Sequence, residues 1–458
     1  MATTCASCPH TCPVCCLPLE HGLMTGKIVH ANGSTTCPIT WRDAEKVIKK
    51  NFPKTIKITR VCASVIKALD LGILTQPLGV LAVGVPSGQK TTALRFFKLL
   101  PGTEWLDDFS GASFVSHQPG KKEEELREND LLPKLKNKAL IVPEFSSVLE
   151  GNREKIADKL GRLTRIMDGD GFRSASGTHG IRGYEGRHDF VFLAATVPLT
   201  ADNWDSFVRA GARFMFVNST DGLTYDDLLE NDKYLSAIAE IQQLVGSALL
   251  VKSAIPTITE EQKRGIYELA SWVARLRGVV SVKGTRFIDT GGSERTSFQT
   301  DQPIIEAPPR LFSMFCVLTQ GHAALYQKSA VDAADLAFLF ECAKDCGRYD
   351  RVRLLFSMPS EPTTVKEMAE KLKVSRDTIR RKLAELNALG LVEVGERLTL
   401  SDKNPKTYKP LLFANARFTL PENQQTTLNS GQEGGDDMAM RSLANNKGVG
   451  LDCAVGGV

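Results

Sequence analysis

The stretch that most constrains this chain is GVPSGQKTT, residues 84–92, which directly follows the apolar run LGVLAVG. An apolar strand, a loop with glycines, and a lysine followed by a hydroxyl residue form the order of a phosphate-binding loop, G-x-x-x-x-G-K-[ST]. Gly84 is the first glycine, Lys90 the lysine and Thr91 the hydroxyl residue, whereas Gln89 stands where the second glycine is expected. The pattern predicts a nucleotide site with one irregular backbone position.

Each part of this loop has an expected role. Backbone N–H groups and the start of the following helix would face the phosphates, Lys90 would reach the outer phosphates, and Thr91 would ligate magnesium. At Gln89 a Cβ costs about 1 kcal/mol if φ is positive. The alternative is a loop that shares the pattern without binding a nucleotide. The predicted cofactors are ATP and Mg²⁺, held by Gly84, Val85, Pro86, Ser87, Gly88, Gln89, Lys90, Thr91 and Thr92.

Three further strands follow in the chain, at residues 138–145, 188–196 and 213–218. Strands of near-continuous apolar character, separated by helical patterns, predict an α/β fold with a mainly parallel sheet covered on both faces. Glu144 ends the first of these strands and would complete the magnesium shell with Thr91 or polarise the attacking water. Pro143 stands where a second acid is usual, so the alternative is a solvated strand-end glutamate. Thr196 ends the next strand.

Residues 362–400 carry the pattern of a winged helix-turn-helix. Thr364 and Glu367 form a capping box that starts one helix, and Ser375 caps a second. Gly390 is a natural stop, and LVEVGERLTL then predicts a strand, a glycine-centred turn and a second strand, which together form a wing. The second helix buries apolar residues at helical spacing, namely Ile379, Leu383, Leu386 and Leu389.

The polar face of that second helix is basic and suits phosphates and guanine edges. A winged helix used only for protein contacts is the alternative, because fold alone does not establish DNA binding. The predicted DNA-binding residues are Arg376, Thr378, Arg380, Arg381 and Lys382, with Arg397 in the wing.

Six of the 11 cysteines fall within the first 37 residues. In a chain without a signal-peptide pattern, which predicts the cytoplasm, such clustering favours metal over disulfides. Cys12, Cys15, His30 and Cys37 would form the most regular Zn²⁺ site, although no spacing fits cleanly. An irregular cysteine-rich segment without a fixed metal is the alternative.

The composition is that of an ordinary globular protein, with 42% hydrophobic and 24% charged residues, and 458 residues allow two or three domains. The net charge of +4 neither requires nor excludes nucleic acid. The sequence contains no run of about 18 apolar residues, so no membrane span is predicted. The expected divisions are a cysteine-rich segment (1–40), a nucleotide-binding core (41–225), a helical lid (226–345) interrupted by a loop at 281–303, a winged helix (346–420) and a disordered tail (421–458).

The order of these parts resembles the AAA+ ATPases, in particular the MCM-like and initiator-like branches and the phage and mobile-element types with a C-terminal winged helix. The resemblance covers residues 60–410. It implies that Lys90, Glu144, Thr196 and Arg213 are catalytic, with Arg213 acting on the nucleotide of a neighbour in a ring. It further implies that residues 169–189, just before the strand that ends at Thr196, form a hairpin facing a pore, where Arg182 and Tyr184 touch DNA. A flexible surface hairpin is the alternative.

The predicted function is therefore an ATP-dependent protein that acts on DNA as a helicase, initiator or loader. An ATP-sensing transcription regulator with little hydrolysis is the alternative, which Gln89 and Pro143 favour. A third candidate is an N-terminal zinc module that binds nucleic acid alone.

Overall fold

The strands of the described residues fall into one large sheet and several small ones. They are β1 (Lys27–Ile28), β2 (Cys37–Pro38), β3 (Leu78–Gly84), β4 (Thr103–Trp105), β5 (Lys138–Val142), β6 (Gly171–Ser176), β7 (Gly180–Glu185), β8 (Phe190–Thr196), β9 (Phe214–Ser219), β10 (Val282–Ile288), β11 (Glu294–Thr300), β12 (Thr363–Thr364), β13 (Val392–Glu396) and β14 (Lys406–Pro410). The computed structural model describes residues 27–28, 37–116, 120–150, 153–176, 180–209, 213–219, 234–288, 294–396 and 406–413.

Helices make up most of the remaining described chain. They are α1 (Trp41–Asn51), α2 (Ile56–Asp70), α3 (Lys90–Arg95), α4 (Gly111–Phe114), α5 (Glu123–Asn129), α6 (Leu131–Lys134), α7 (Arg153–Ile166), α8 (Ala201–Arg209), α9 (Tyr234–Leu250), α10 (Glu260–Arg277), α11 (Pro309–Leu325), α12 (Ala333–Asp345), α13 (Tyr349–Ser357), α14 (Val365–Leu372) and α15 (Arg376–Ala388), with short 3-10 helices at Pro53–Thr55 and Ser146–Leu149. Among the described helices none is long and apolar enough to cross a membrane.

The large sheet has five parallel strands in the order β4–β5–β8–β3–β9. All seven residues of β3 and of β8 are buried, as expected for central strands covered on both faces. Alternate residues enter two cores: Val80 and Ala82 face one, Leu81 and Val83 the other. The predicted α/β class with a covered parallel sheet is confirmed.

One core is shared by α2, the lid helices and the C-terminal module, and the other lies beneath α7 and α8. Helix α2 contacts strands β3, β8 and β9 and also packs along α11. Residues 41–70 therefore join the sheet to the lid and form one continuous helical layer with it. The core, the lid and the C-terminal module all belong to one compact unit, residues 1–419.

Two sequence predictions about loops are wrong. The segment predicted as a loop at 281–303 contains the antiparallel hairpin β10–β11, with seven paired positions from Val282↔Thr300 to Ile288↔Glu294. The wing does not turn at Gly395, which lies inside β13 and pairs with Thr407 of β14. Both errors arise because strand pairing depends on partners that a local pattern does not reveal.

The cysteine-rich segment lies almost entirely outside the described residues, and so do the tail at 421–458 and Arg397. Of the predicted zinc ligands only the backbone of Cys37 is described, in β2, where it pairs with Ile28. Among the described residues there is no group of three or more side chains that could hold a metal ion.

Two helix glycines provide a test of the packing between α2 and α11. A Cβ at Gly321 of α11 would overlap the backbone oxygen of Ser64 in α2, whereas a Cβ at Gly246 of α9 would meet no atom within 4 Å. We expect Gly321→Ala to lower the free energy of unfolding by about 1–3 kcal/mol through overpacking. The matched Gly246→Ala should raise it by about 0.5–1 kcal/mol, because alanine restricts the unfolded chain. Urea denaturation measures both, and equal effects would contradict this packing.

Candidate functional site

The phosphate-binding pattern lies at the carboxyl end of β3, the strand between β8 and β9. β3 ends at Gly84, the loop runs through residues 85–89, and α3 begins at Lys90. Ser87 and Gln89 both adopt left-handed backbone conformations, with φ of 60° and 57°. The motif's second glycine would adopt this left-handed conformation without strain. Gln89, which stands in its place, bears the conformational cost of about 1 kcal/mol expected for a residue with a Cβ.

Gly84 is required by a close approach between two strands. A Cβ at Gly84 would lie 2.5 Å from the backbone oxygen of Ser219, the last residue of β9. The hydroxyl of Ser219 also donates a hydrogen bond to the backbone oxygen of Gly88, at 3.1 Å. The end of β9 therefore braces the loop from one side, which the local sequence pattern does not reveal.

Lys90 folds back over this loop. Its ammonium donates hydrogen bonds to the backbone oxygens of Gly84 (3.0 Å) and Val85 (2.7 Å), and the residue is 8% exposed. Burial lowers the pKa of Lys90 from its ordinary value, and the negative charge of Glu144 opposes that shift. The Lys90 ammonium is thus held inside the loop, close enough to Glu144 for the two charges to interact.

Thr91, in the first turn of α3, contacts the residue before Glu144. The Thr91 hydroxyl donates a long hydrogen bond of 3.5 Å to the backbone oxygen of Pro143, the residue before Glu144. Glu144 itself is exposed. A hydroxyl and a carboxylate are oxygen donors of the kind Mg²⁺ takes beside water and phosphate oxygens, so the donor set fits the predicted metal.

Thr196 ends β8, which lies between the strands of the loop and of Glu144. Its side chain is buried and its hydroxyl oxygen lies 3.3 Å from that of Ser146. Two further polar residues border this edge but were missed by the sequence analysis: Ser146, and Asp108, whose carboxylate accepts a hydrogen bond from Ser147 at 3.3 Å. An acid pair just after a strand, Asp107 and Asp108, was the available signal.

Tyr234 was also missed. Its hydroxyl lies 2.8 Å from that of Thr92, so the first residue of lid helix α9 touches the first turn of α3. The Tyr234 ring packs edge-on against Phe52, which in turn packs against Phe96. The lid and the N-terminal helices are thereby joined directly to the helix that follows the loop.

Arg213 lies away from these groups, just before β9 and hence at the amino end of the parallel sheet. It is buried, and its guanidinium binds the carboxylate of Asp168, with Nε to Oδ1 at 2.8 Å. To act on a neighbour's nucleotide, as the resemblance implies, this guanidinium would have to leave Asp168. The proposed role in trans therefore requires a rearrangement within the chain.

Arg182 and Tyr184 lie on the hairpin β6–β7, as the sequence analysis expected, but they point into the protein. The Arg182 guanidinium is 2.8 Å from the Asp130 carboxylate, and the Tyr184 hydroxyl donates to the same carboxylate at 2.6 Å. Ser116 also donates to Asp130, through its backbone N–H at 2.9 Å. Burial and the bond to Asp130 raise the pKa of Tyr184 to about 12. In this structure Arg182 anchors the hairpin and does not present its charge to DNA.

The two helices of the C-terminal module begin at the predicted caps, although the wing does not turn at Gly395 as predicted. Thr364 and Glu367 make the capping box, with the backbone N–H of Thr364 donating to Glu367 at 2.7 Å, and Ser375 accepts from the backbone N–H of Thr378 at 3.2 Å. Ile379, Leu383 and Leu386 of α15 are buried, as is Leu389 directly after the helix. Strands β12, β14 and β13 form a three-stranded sheet beside the helices, in that order.

The predicted DNA-binding side chains of α15 divide into two groups. Arg376, Arg380 and Arg381 are exposed; Arg380 pairs with Asp377 at 2.8 Å, and the other two form no ion pair with any described residue. The Lys382 ammonium is bound to Asp350 of α13, so its charge is already compensated. Thr378 is half-buried at the start of the helix. The basic surface is therefore concentrated on the amino-terminal half of α15, the part that contacts base edges in helix-turn-helix proteins.

Comparison with known proteins matches residues 350–397 to a family model described as a helix-turn-helix domain. The C-terminal module is therefore a helix-turn-helix domain of the DNA-binding class. The match spans α13 through β13, so it covers that module and not the sheet or the lid.

Two solved structures align over most of the chain. One, titled "SCCmec type IV Cch - active helicase", is 12% identical with a TM-score of 0.32, covering 83% of this chain and 72% of that one. The other, the apo A form of the NrS-1 C-terminal region, is 9% identical with a TM-score of 0.20, covering 81% and 75%. No curated protein matches the chain.

The left-handed turn at Gln89 can be tested directly. We expect Gln89→Gly to raise the free energy of unfolding by up to about 1 kcal/mol, because glycine adopts positive φ without the clash of a Cβ. The control is Arg95→Gly in α3, which should lower it by a similar amount through helix propensity. Thermal and urea denaturation measure both, and a destabilised Gln89→Gly would contradict the left-handed assignment.

Proposed function

We propose that this chain is a magnesium-dependent, ATP-binding and ATP-hydrolysing protein of the AAA+ type that acts on DNA. The observation that carries the proposal is the convergence of Lys90, Thr91 and Glu144 at one edge of the parallel sheet, with the Thr91 hydroxyl bonded to the residue before Glu144. Ligands of open α/β sheets bind outside the carboxyl ends of the strands, which is where these groups lie.

The chain's residues have distinct tasks in this proposal. Lys90 would exchange its hydrogen bonds to Gly84 and Val85 for oxygens of the outer phosphates, which keeps its charge compensated. Loop N–H groups, placed by the left-handed residues Ser87 and Gln89, would bind the remaining phosphate oxygens. Bound magnesium would neutralise charge on the outer phosphate oxygens, with Thr91 and Glu144 holding its shell.

Glu144 has a second task that follows from its exposure. A carboxylate that stays in contact with solvent can accept a proton from a water molecule and orient it toward the terminal phosphate. The buried Thr196 at the end of β8 would hold Ser146 through the contact between their hydroxyl groups, and so keep the segment that follows Glu144 in place. Glu144 alone would have to hold magnesium and activate the water. We therefore expect ATP to be bound well but hydrolysed slowly.

The helix-turn-helix domain supplies the DNA contact in this proposal, through Arg376, Arg380 and Arg381 of α15. A ring is the assembly that the AAA+ resemblance implies, with Arg213 leaving Asp168 to reach the neighbouring protomer. Helicase, initiator and loader are the activities consistent with a motor of this kind.

An ATP-sensing transcription regulator is the second candidate. It is favoured by the Cβ at the left-handed position Gln89 and by the buried Pro143 in place of a second acid. Such a protein would bind ATP and duplex DNA tightly with little turnover.

Lys90→Ala tests the nucleotide site. We expect the affinity for ATP·Mg²⁺ to fall at least tenfold, because a buried cation facing the phosphates is lost. Titration with a fluorescent ATP analogue measures it, and Lys50→Ala, which removes an exposed lysine of α1, is the control. Unchanged binding in Lys90→Ala would refute the site.

Phosphate release separates the motor from the regulator. We expect hydrolysis that DNA stimulates, and a loss of about 10²–10⁴-fold in Glu144→Gln with ATP affinity retained, because the water-activating carboxylate is gone. The assay uses full-length protein with no DNA, single-stranded DNA or duplex DNA. Turnover that is absent in every arm, with tight duplex binding, supports the regulator. Sedimentation of the same mixtures reports the ring.

Arg381→Ala tests the DNA surface. We expect binding to mixed-sequence duplex to weaken by about 1–3 kcal/mol, or the salt slope to fall by about one, depending on whether the arginine contacts a base or a phosphate. Fluorescence anisotropy over a salt series measures it. Arg264→Ala removes an exposed arginine from α10 and should change neither quantity. Identical behaviour of the two variants would argue against α15 as the DNA surface.

A further inference from the structure

We propose that the hairpin β10–β11 is a second DNA-contacting element, which binds duplex DNA beside the segment bound by α15. This inference rests on the proposed DNA binding by the helix-turn-helix domain and extends its interface. The hairpin is inserted between lid helices α10 and α11, and α15 packs against both of its strands. Hairpin and α15 thus form neighbouring parts of one surface.

The hairpin has two chemically different faces. The register places Val282, Gly284, Thr296 and Phe298 on one face, where Val282, Thr296 and Phe298 are half-buried. A Cβ at Gly284 would lie 3.2 Å from the Phe298 ring and from the Thr296 methyl group, so these two side chains pack across the strands on this face, although Gly284, Arg286 and Ile288 of the same face are exposed. The half-buried side chains of the hairpin therefore all lie on this face among the described residues.

The opposite face is bare and polar. Lys283, Thr285, Phe287, Ser297 and Gln299 occupy it and are all exposed, with Phe287 45% exposed. The described side chains of this face are a lysine, two hydroxyl residues, an amide and an aromatic ring, and none of them is acidic. These are the side chains that contact phosphates, sugars and bases.

The nearest acid does not remove the charge of this face. Lys283 Nζ lies 3.4 Å from the Asp301 carboxylate beyond the end of β11, and both side chains are more than half exposed. Exposed pairs of this kind contribute little and exchange readily for a phosphate. Lys283 is therefore available to DNA.

The dimensions fit duplex DNA. Two-stranded ribbons enter the major groove, and strands of seven residues span roughly 23 Å, which corresponds to about seven base pairs. A two-stranded ribbon is only marginally stable by itself, and this one is stabilised by its contact with α15. The alanines Ala384 and Ala388 of α15 are half-buried, whereas Arg376 and Arg380 are exposed. The amino-terminal half of α15 thus stays open for DNA.

The test compares two variants of one strand. Lys283→Ala removes an exposed cation from the polar face, and Arg286→Ala removes an exposed cation from the opposite face, with the same change in net charge. Full-length protein is titrated with a 40-base-pair duplex of mixed sequence over a salt series. We expect Lys283→Ala to lower the slope of log K against log[salt] by about 0.9, and Arg286→Ala to leave it unchanged. The reverse change Thr285→Lys should strengthen binding to the same duplex.

Three other results overturn the proposal. Equal slopes for Lys283→Ala and Arg286→Ala would show only a general effect of charge. Tighter binding by Lys283→Ala would mean that the hairpin hinders access to α15. An unchanged slope in Lys283→Ala together with a weakened Arg381→Ala would leave DNA binding to α15 alone. If Arg381→Ala has no effect either, the DNA surface proposed for α15 fails as well, and the two failures are thereby distinguished.

Discussion

The arrangement of this molecule depends on one strand that is buried on both faces and paired along both edges. β3 has β8 on one side and β9 on the other, and every one of its residues is buried. With both edges occupied, β3 is a central strand of the sheet, and its carboxyl end continues into the loop before α3. Gly84 then permits the backbone of Ser219 to approach, and Lys90 turns back over the loop. The polar groups of the candidate site thus lie at the carboxyl end of a fully buried strand.

The sequence was informative wherever the controlling interactions are local. The strand before Lys90 and the caps at Thr364 and Ser375 depend on residues within a few positions, and each was predicted, whereas the positive φ at Gln89 was considered only as a condition. Sequence reasoning also placed Thr91 and Glu144 at one sheet edge, because parallel strands align their carboxyl ends.

It failed wherever a partner comes from far along the chain. Arg182 looked like an exposed basic residue because Asp130, its partner, lies 52 positions earlier and shows no periodic relation to the hairpin. Lys382 looked like part of a DNA-facing surface because Asp350 belongs to another helix. The hairpin β10–β11 was taken for a loop, since its glycine-rich centre concealed two strands whose support comes from α15.

The joint between lid and helix-turn-helix domain is stiff. The Arg351 guanidinium binds Glu385 of α15 at 2.9 Å through Nε and reaches the backbone oxygens of Leu276 (3.1 Å) and Gly278 (2.5 Å) at the end of α10. Trp272 donates to the backbone oxygen of Leu411 at 3.0 Å from the other side. These hydrogen bonds attach the helix-turn-helix domain directly to helix α10 of the lid. If α15 binds duplex DNA as proposed, the duplex would be attached through these bonds to the helices of the lid, and rotation of those helices would move the duplex with them.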